Sequence, residues 1–489
     1  MALQLWLPLN GTLENRGLSN VTASSTGATV SATGKIGPCY YLAGNTSSYI
    51  DTGFSSAFGT GDYSIAMWVK IPRITSGSYF AIISSKGAGA AASGVGIYWN
   101  YSQKRFLWSS ADGTNAREIW MSTSVDLTEL VYDKWIHIIL VRNSSDAKHG
   151  YFYINGERYD LMSVPSILNI TTDTKFRIGN CVPSYYSVKM YVNDLRIYDH
   201  AVSVKEAKEL SKALTIHYTL DNAVSGVYDC SGYCNNATAK DITYDAESPR
   251  HGSCSQFTGT NSSYIKTTEN NWMAQYAEEM TINLWAYSDN WASQPNAHLF
   301  SCTEGGGFNT ESGSSGYLRT PIYVATNSAQ NSHAYHYDSQ EVKISDLSAG
   351  WHMFTFVYTI AGHTTYIDGE LHHTYTNQNY GIRFNTSARL FLGCEANGAS
   401  SYVPYLTGKE SDFRLYYTAL SSEDILELYE VTASADRDNN FYTYEYVESD
   451  NSKSFLRNGE LLIDDINEDS DGVSVSRDCV LNAQTINEI

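Results

Sequence analysis

The chain has 489 residues, of which 13% are aromatic and only 17% charged, with 38 Tyr, 9 Pro and a formal net charge of −20. That length exceeds what one hydrophobic core serves, so two or three domains are predicted, and the Tyr-rich, charge-poor balance favours strands over helices. The negative charge repels phosphate backbones and anionic bilayers and so counts against nucleic acid as a partner, and no stretch approaches the roughly 18 apolar residues of a membrane span, so membrane insertion is not expected.

At the start, Leu3, Leu5 and Leu7 alternate with Gln4 and Trp6, the pattern of a strand. With no basic region, sustained apolar core or cleavage site there, a secretory signal is not expected. In a chain of this size without such a signal, Cys39, Cys181, Cys230, Cys234, Cys254, Cys302, Cys394 and Cys479 read as reduced core thiols. A long internal repeat follows. Gly37-Pro38-Cys39 through Ser47-Ser48-Tyr49-Ile50 is answered, at constant offset, by Gly252-Ser253-Cys254 through Ser262-Ser263-Tyr264-Ile265. Trp68 pairs with Trp285, Trp135 with Trp351, and Tyr153-Ile154-Asn155-Gly156-Glu157 with Tyr366-Ile367-Asp368-Gly369-Glu370. The order closes with Asp194-Leu195-Arg196-Ile197-Tyr198 against Asp412-Phe413-Arg414-Leu415-Tyr416.

Each block has a physical meaning. Asn155-Gly156 and Asp368-Gly369 between apolar runs predict two-residue hairpins, because a type I′ turn needs two residues tolerant of positive φ. The runs that Trp135 and Trp351 open predict inner strands whose alternate side chains face a second sheet. Ser203 and Ser421, each followed by acidic residues, predict the N-cap of one short closing helix per half.

This ordered set resembles the laminin-G-like, concanavalin A-like jelly-roll family, twice over about residues 1 to 430. The resemblance implies an all-β chain of two tandem β-sandwiches, residues 1–212 and 213–430. Asp229-Cys230-Ser231-Gly232 is similar to the family's early Asp-x-Ser-Gly turn, whereas the first half has Asn15-Arg16-Gly17 there. Because this fold often carries a rim calcium site, Asp221 and Asp229 are the candidate calcium ligands, with a purely structural turn as the alternative. No other cofactor is implied.

From about residue 431 the composition shifts to 13 Asp/Glu against 4 Arg/Lys. Ser434, Ser454 and Ser474, Arg437, Arg457 and Arg477, Phe441, Leu461 and Leu481, and Tyr446, Ile466 and Ile486 each recur at a spacing of 20 residues. Asn458-Gly459 predicts a turn between Ser454-Phe455-Leu456 and Leu461-Leu462-Ile463. Residues 431–489 are therefore expected to form a small β-repeat. Units this short bury too little to fold alone, so they stack on something, and a homo-oligomer through this tail is expected. Short β-repeats behind laminin-G-like domains resemble the C-terminal parts of tail and fibre proteins of bacterial viruses.

Chemistry is sparse. Glycosidases on this fold set paired carboxylates as Glu-x-Asp-x-Glu along one strand, and only Glu410-Ser411-Asp412 and Glu448-Ser449-Asp450 begin that pattern. Cys230 and Cys234 lack a second pair at zinc spacing. No enzymatic activity is expected. For saccharide binding, sugar CH faces need aromatic platforms beside a few polar groups. The first half offers Tyr98, Trp99, Tyr101, Trp108 and Trp120, and the second Trp291, His333, His336 and Tyr337. Alternation through Tyr98-Trp99-Asn100-Tyr101 sends neighbours to opposite faces, so about half of these belong to the core. The expected function is that of a non-enzymatic virion-associated structural or adhesion protein of a bacterial virus, reaching the extracellular space on host lysis. Its expected partners are host-surface glycan and other virion proteins. A bacterial cell-surface carbohydrate-binding adhesin and a polysaccharide-degrading enzyme are the alternatives.

Overall fold

The computed structural model describes all residues except 1, 88–90, 123–125, 164–165, 183–185, 222–225, 246–247, 251–252, 260–262, 294–297, 304–307, 313–316, 321, 326–332, 337–340, 344–345, 377–379, 386, 398–399, 431–442, 448–452, 458–459 and 464–489. The chain divides into two units, Met1–Ser211 and Lys212–Ile489. Both are antiparallel β-sandwiches, as the repeat predicts.

In the first unit the strands are β1 (Leu3–Leu7), β2 (Ser24–Thr26), β3 (Thr29–Ser31), β4 (Cys39–Ala43), β5 (Tyr49–Ser55), β6 (Tyr63–Lys70), β7 (Tyr79–Ser84) and β8 (Gly94–Asn100). They continue as β9 (Arg105–Ala111), β10 (Ala116–Trp120), β11 (Trp135–Arg142), β12 (Gly150–Ile154), β13 (Glu157–Asp160), β14 (Lys175–Ile178) and β15 (Lys189–Tyr198), with helices α1 (Thr128–Val131) and α2 (Val204–Ser211). One sheet runs β13-β12-β11-β6-β15-β4-β3, with β1 also paired to β15, and the other runs β10-β9-β8-β7-β14-β5-β2. Strand alternation builds the core between them: Ile65, Met67, Val69, Ile136, Ile138 and Leu140 from the first sheet meet Ile50, Ile83, Ile97, Trp99, Phe106 and Ile178 from the second. Full burial of each such side chain stabilises the fold by about 1.5–3 kcal/mol before chain entropy is subtracted.

The predicted hairpins form. Asn155 and Gly156 have φ of 51° and 83°, and Asp368 and Gly369 have 52° and 83°, the left-handed pair of a type I′ turn. Less expected is the role of the shared Asp-x-Arg. Asp194 and Asp412 also have positive φ, 52° and 54°, and each sits where the register of its strand shifts, in a bulge within a central strand. The bulge turns the carboxylate toward the N-terminal strand of the same unit. In the first unit Trp6 Nε1 donates to Asp194 Oδ1 at 2.7 Å and the Arg196 guanidinium lies 3.1 Å from the same oxygen and 4.3 Å over the indole. In the second, His217 Nε2 lies 2.7 Å and Arg414 Nε 3.0 Å from Asp412 Oδ1. Trp6, on the nominally polar side of β1, is buried for this reason.

The second unit repeats the plan. One sheet centres on the strands Thr407–Tyr416, Glu279–Ser288 and Gly350–Thr359, and the facing sheet includes Tyr264–Thr267, Phe391–Leu392, Phe300–Cys302 and Ile322–Ala325. A closing helix, α3 (Ser422–Glu430), matches α2. Both begin in a reciprocal cap: Glu206 N donates to Ser203 Oγ at 3.1 Å while Ser203 N donates to Glu206 Oε2, and Asp424 N donates to Ser421 Oγ at 3.2 Å while Ser421 N donates to Asp424 Oδ2.

Past α3, the strands Thr443–Val447, Lys453–Arg457 and Glu460–Ile463 form a three-stranded antiparallel sheet. Arg457 pairs with Glu460, so the last two strands flank the predicted Asn458-Gly459 turn, which itself lies outside the described residues, as do Phe441, Ile466, Leu481 and Ile486.

Candidate aromatic face

Residues directly opposite across a ladder share a face. Along the second sheet of the first unit, register aligns Ala81, Tyr98, Leu107 and Trp120 in one row and Ser24, Asp51, Arg177, Ser84, Gly96, Ser109 and Glu118 in the next. Trp108 falls between these rows, Trp99 and Phe106 pair in the row beyond Tyr98 and Leu107, and all three face the core. The rows therefore occupy the outer face of the sheet. Ala81, Tyr98, Leu107 and Cys181 form a buried apolar cluster there, separate from the core, with Tyr79 and Trp120 half-buried at its margin.

Four rings make up this face. Tyr79 on β7 stacks on Trp120 on β10 at 6.1 Å across two intervening strands, and Tyr186, from the β14–β15 connection, meets Tyr79 at 6.0 Å and Tyr98 at 6.2 Å edge-on. That connection is held by Ala81 N donating to the Tyr186 carbonyl at 2.7 Å, and Tyr186 remains 53% exposed. Gly96 lets the Tyr98 ring lie on the sheet: a Cβ there would stand 2.6 Å from Tyr98 Cε2. Beneath the rings, the Tyr98 and Ser84 hydroxyls are 2.8 Å apart and Lys86 Nζ donates to Ser109 Oγ at 3.1 Å. Burial lowers the Lys86 pKa, opposed by the charge of Glu118. The arrangement is an aromatic surface over a polar row, suited to the CH faces and hydroxyls of a saccharide.

Among the residues singled out from sequence, Trp120 belongs to this face. Tyr101 is half-buried on the β8–β9 turn, its hydroxyl donating to the Thr75 carbonyl at 3.0 Å. Trp99, Trp108 and Trp291 are core residues instead of surface platforms. Trp99 Nε1 donates to the Tyr132 hydroxyl at 2.8 Å, Trp108 packs edge-on against Tyr63, and Trp291 packs edge-on against Phe354 at 5.4 Å. His333 and His336 lie on a strand paired with Ile322–Ala325, and Tyr337 lies outside the described residues. Tyr79, Tyr186 and Lys86 had no distinguishing signal, since only strand pairing brings them to Trp120 and Tyr98.

Asp229 is buried and already accepts from His217 N, Ser231 N, Ser231 Oγ and Asn235 N at 2.8–3.0 Å. Burial raises its pKa against the pull of these donors. Asp221 accepts from Thr219 Oγ1 at 2.5 Å. Both carboxylates serve local turns, and among the described residues no group of three or more His, Cys, Asp or Glu is placed to hold a metal ion. Glu410 and Asp412 do not form a pair across a cleft. Glu410 lies opposite the core residue Ala286 and is fully buried, with its pKa raised well above the ordinary value by burial, while Asp412 is taken up by His217 and Arg414.

Several solved structures are similar to the chain. Domain 4 of an extracellular arabinanase from Geobacillus stearothermophilus, in complex with arabinotriose, is 16% identical over 45% of this chain and 98% of that one, with a TM-score of 0.34. The binding domain of paraclostridial mosquitocidal protein 1 is 11% identical over 88% and 94%, with a TM-score of 0.35. Mouse laminin alpha1 chain domains LG4-5 are 10% identical over 74% and 85%, with a TM-score of 0.23. No curated protein matches the chain. The family described as the concanavalin A-like lectin/glucanases superfamily matches residues 44–208 and again 258–426, most of both sandwiches. The chain belongs to the concanavalin A-like lectin/glucanases superfamily, of which it carries two tandem copies.

Proposed function

We propose that the chain is a non-enzymatic adhesion and structural protein of a bacterial virus, a tail, fibre or head-decoration component that binds cell-surface glycan through the first sandwich. The observation that carries this reading is the Tyr79, Trp120, Tyr186 and Tyr98 face, four touching rings outside the core over a polar row. Rings gathered into one contiguous patch outside the core, unlike single scattered ones, are the mark of an interaction surface. Absence of catalysis is supported by the positions of Glu410 and Asp412, one sealed in the interior and the other engaged in a strand bulge. Location on a virion, reached by host lysis, is supported by the acidic β-repeat after residue 431. That segment is the proposed element for self-association or for contact with neighbouring virion subunits.

A glycan array read with the full chain tests the proposal. Trp120→Ala and Tyr79→Ala should each abolish binding while leaving the melting temperature of the sandwiches nearly unchanged, since both rings are half-buried at the margin. Binding that survives both substitutions removes the site from consideration. Turnover of a bound glycan that disappears in Glu410→Gln would overturn the non-enzymatic reading.

A further inference from the structure

Alternation along β4, β6, β11 and β15 sends Leu42, Val69, Ile136 and Val192 into the core and leaves Tyr41, Lys70, Trp135 and Tyr191 on the outer face of the first sheet. Register joins these four in one row, Tyr41 opposite Tyr191, Tyr191 opposite Lys70 and Lys70 opposite Trp135. All four are half-buried, and the Tyr41 and Tyr191 ring centroids lie 4.9 Å apart. Lys189, exposed and two residues before Tyr191, stands beside the row on the same face. Lys35 Nζ lies 4.8 Å over the ring of Trp68, two residues before Lys70.

The second sandwich has the same row with its cation neutralised. Gln256, Lys409, Tyr287 and Trp351 stand opposite one another there in that order, so Lys and Tyr have exchanged strands, and Lys409 Nζ lies 4.8 Å over the Tyr287 ring. Asp245 holds Lys409 at 2.8 Å. The position of Asp245, opposite Cys254, is filled in the first sandwich by Ser31, opposite Cys39. Arg250 stands where the first copy has Lys35, four residues before the aligned cysteine, and lies 3.7 Å from Asp412, while Thr407 stands where the first copy has Lys189. Carboxylates thus meet the cations of the second row, whereas among the described residues neither Lys70 nor Lys189 has a carboxylate partner. In a chain of net charge −20, lysines gathered on one face without acids create a local attraction for anions. The rings between them supply flat beds for CH faces. Four side chains in a row offer far less than the roughly 800 Å² that each partner gives to a stable protein interface, which sets the scale at an oligosaccharide. We infer that the Tyr41–Tyr191–Lys70–Trp135 row is a binding site for an anionic saccharide, its carboxylate or sulfate group held by Lys70 and Lys189 and its ring lying on the tyrosines. The row belongs to the opposite sheet from Tyr79 and Trp120, so the inference does not rest on that face.

Titration calorimetry of the full chain tests it with four probes: oligogalacturonate for the carboxylate, a sulfated dextran oligomer for the sulfate, methyl-esterified oligogalacturonate for a neutral ring, and polyglutamate for charge without sugar. At least one of the two anionic saccharides should bind about tenfold or more tighter than the methyl ester and polyglutamate, and more weakly as salt is raised. Lys70→Met, which keeps the apolar stem, and Tyr191→Thr, which leaves the charge alone, should each weaken that binding about tenfold. Lys189→Met alters an exposed side chain and should do the same without disturbing the fold. Trp120→Ala should leave it intact. Binding of neither anionic saccharide overturns the inference, as does equal binding of the methyl ester or of polyglutamate, or binding undiminished in both lysine variants. Binding lost in Trp120→Ala but kept in Lys70→Met assigns the saccharide to the other sheet and overturns it as well.

Discussion

Replacing Glu410 with Val should make the protein more stable at neutral pH. Strand Thr407–Tyr416 places Glu410 opposite Ser255 on one side and Ala286 on the other, in the interior of the second sandwich, where neither carboxyl oxygen has a hydrogen-bond partner among the described residues. At the matching position, two residues before the bulged Asp, the first sandwich has Val192, fully buried in its core. Leaving a buried polar group unsatisfied costs about 1–3 kcal/mol, and more once it is charged. The smaller valine gives back about 0.5–1.5 kcal/mol through imperfect filling. The net gain is about 1 kcal/mol, or roughly 2–4 °C in melting temperature for a domain of this size. The pH dependence carries the sharper test. Burial raises the Glu410 pKa above its unfolded value, so the folded state holds the proton that the unfolded chain releases. Wild-type stability is therefore fullest below about pH 4.5 and falls as pH climbs toward the folded pKa, whereas the valine variant lacks this loss. Urea titrations at pH 4.5 and pH 8 should show the variant's advantage widening with pH. An advantage that is the same at both, or a variant weaker at pH 8, refutes the reasoning.

Trp6→Phe preserves an aromatic ring but removes the N–H bonded to Asp194 at 2.7 Å, and should cost about 1.5–3 kcal/mol in chemical denaturation; an unchanged midpoint would mean the bulge does not need its cap. Asp368→Asn keeps a residue tolerant of positive φ but removes the carboxylate 2.7 Å from His352 Nδ1. That carboxylate raises the His352 pKa, so its stabilisation is full below about pH 6.5 and fades as pH rises through the folded value. Asp368→Asn should thus cost about 0.5–1 kcal/mol at pH 6 and less at pH 9, and a penalty growing with pH would contradict it. Fragments 1–211 and 212–430, each with its own two sheets and capped helix, should melt cooperatively on their own. Calorimetry showing either one unfolded would place essential contacts across that division.

Much of the architecture was legible because it rests on local rules repeated twice. Asn155-Gly156 and Asp368-Gly369 could hardly be anything but tight turns, and Ser203 and Ser421 each cap their helix with the acidic residue three positions on. The aromatic face was legible only in part. Alternation separates Tyr98 from Trp99 but does not say which of them faces the core, and Tyr79 finds Trp120 only across two other strands. The Asp-x-Arg motif was visible as a pattern, yet its work depends on a left-handed bulge, which no periodicity announces. Glu410 reads like a catalytic residue beside Asp412 because alternation puts residues two apart on one face. The same bulge breaks that rule: Glu410 shares the interior side with Ala286, while Asp412 reaches its ring partner on the first strand.

The duplication also separates what the fold requires from what each copy has been free to change. Both copies keep the left-handed Asp, the Arg two residues on and a ring N–H from the first strand, although that ring is an indole in one and an imidazole in the other. Conserving the bond while exchanging the donor means the carboxylate in the bulge is the constrained element, and the donor only has to reach it. By that reasoning His217→Trp in the second copy should be tolerated better than His217→Ala, which leaves the buried Asp412 oxygen short of a donor and should cost on the order of 3 kcal/mol. The indole brings its own difficulty, since it is larger than imidazole and the buried Arg250 already lies 3.7 Å from the other oxygen of Asp412. Overpacking costs about 1–3 kcal/mol, so the tryptophan variant should fall between wild type and alanine. Denaturation midpoints of the three proteins at pH 7 decide it. If alanine equals tryptophan, filling the space matters and the bond does not, and the shared motif would then be a steric device.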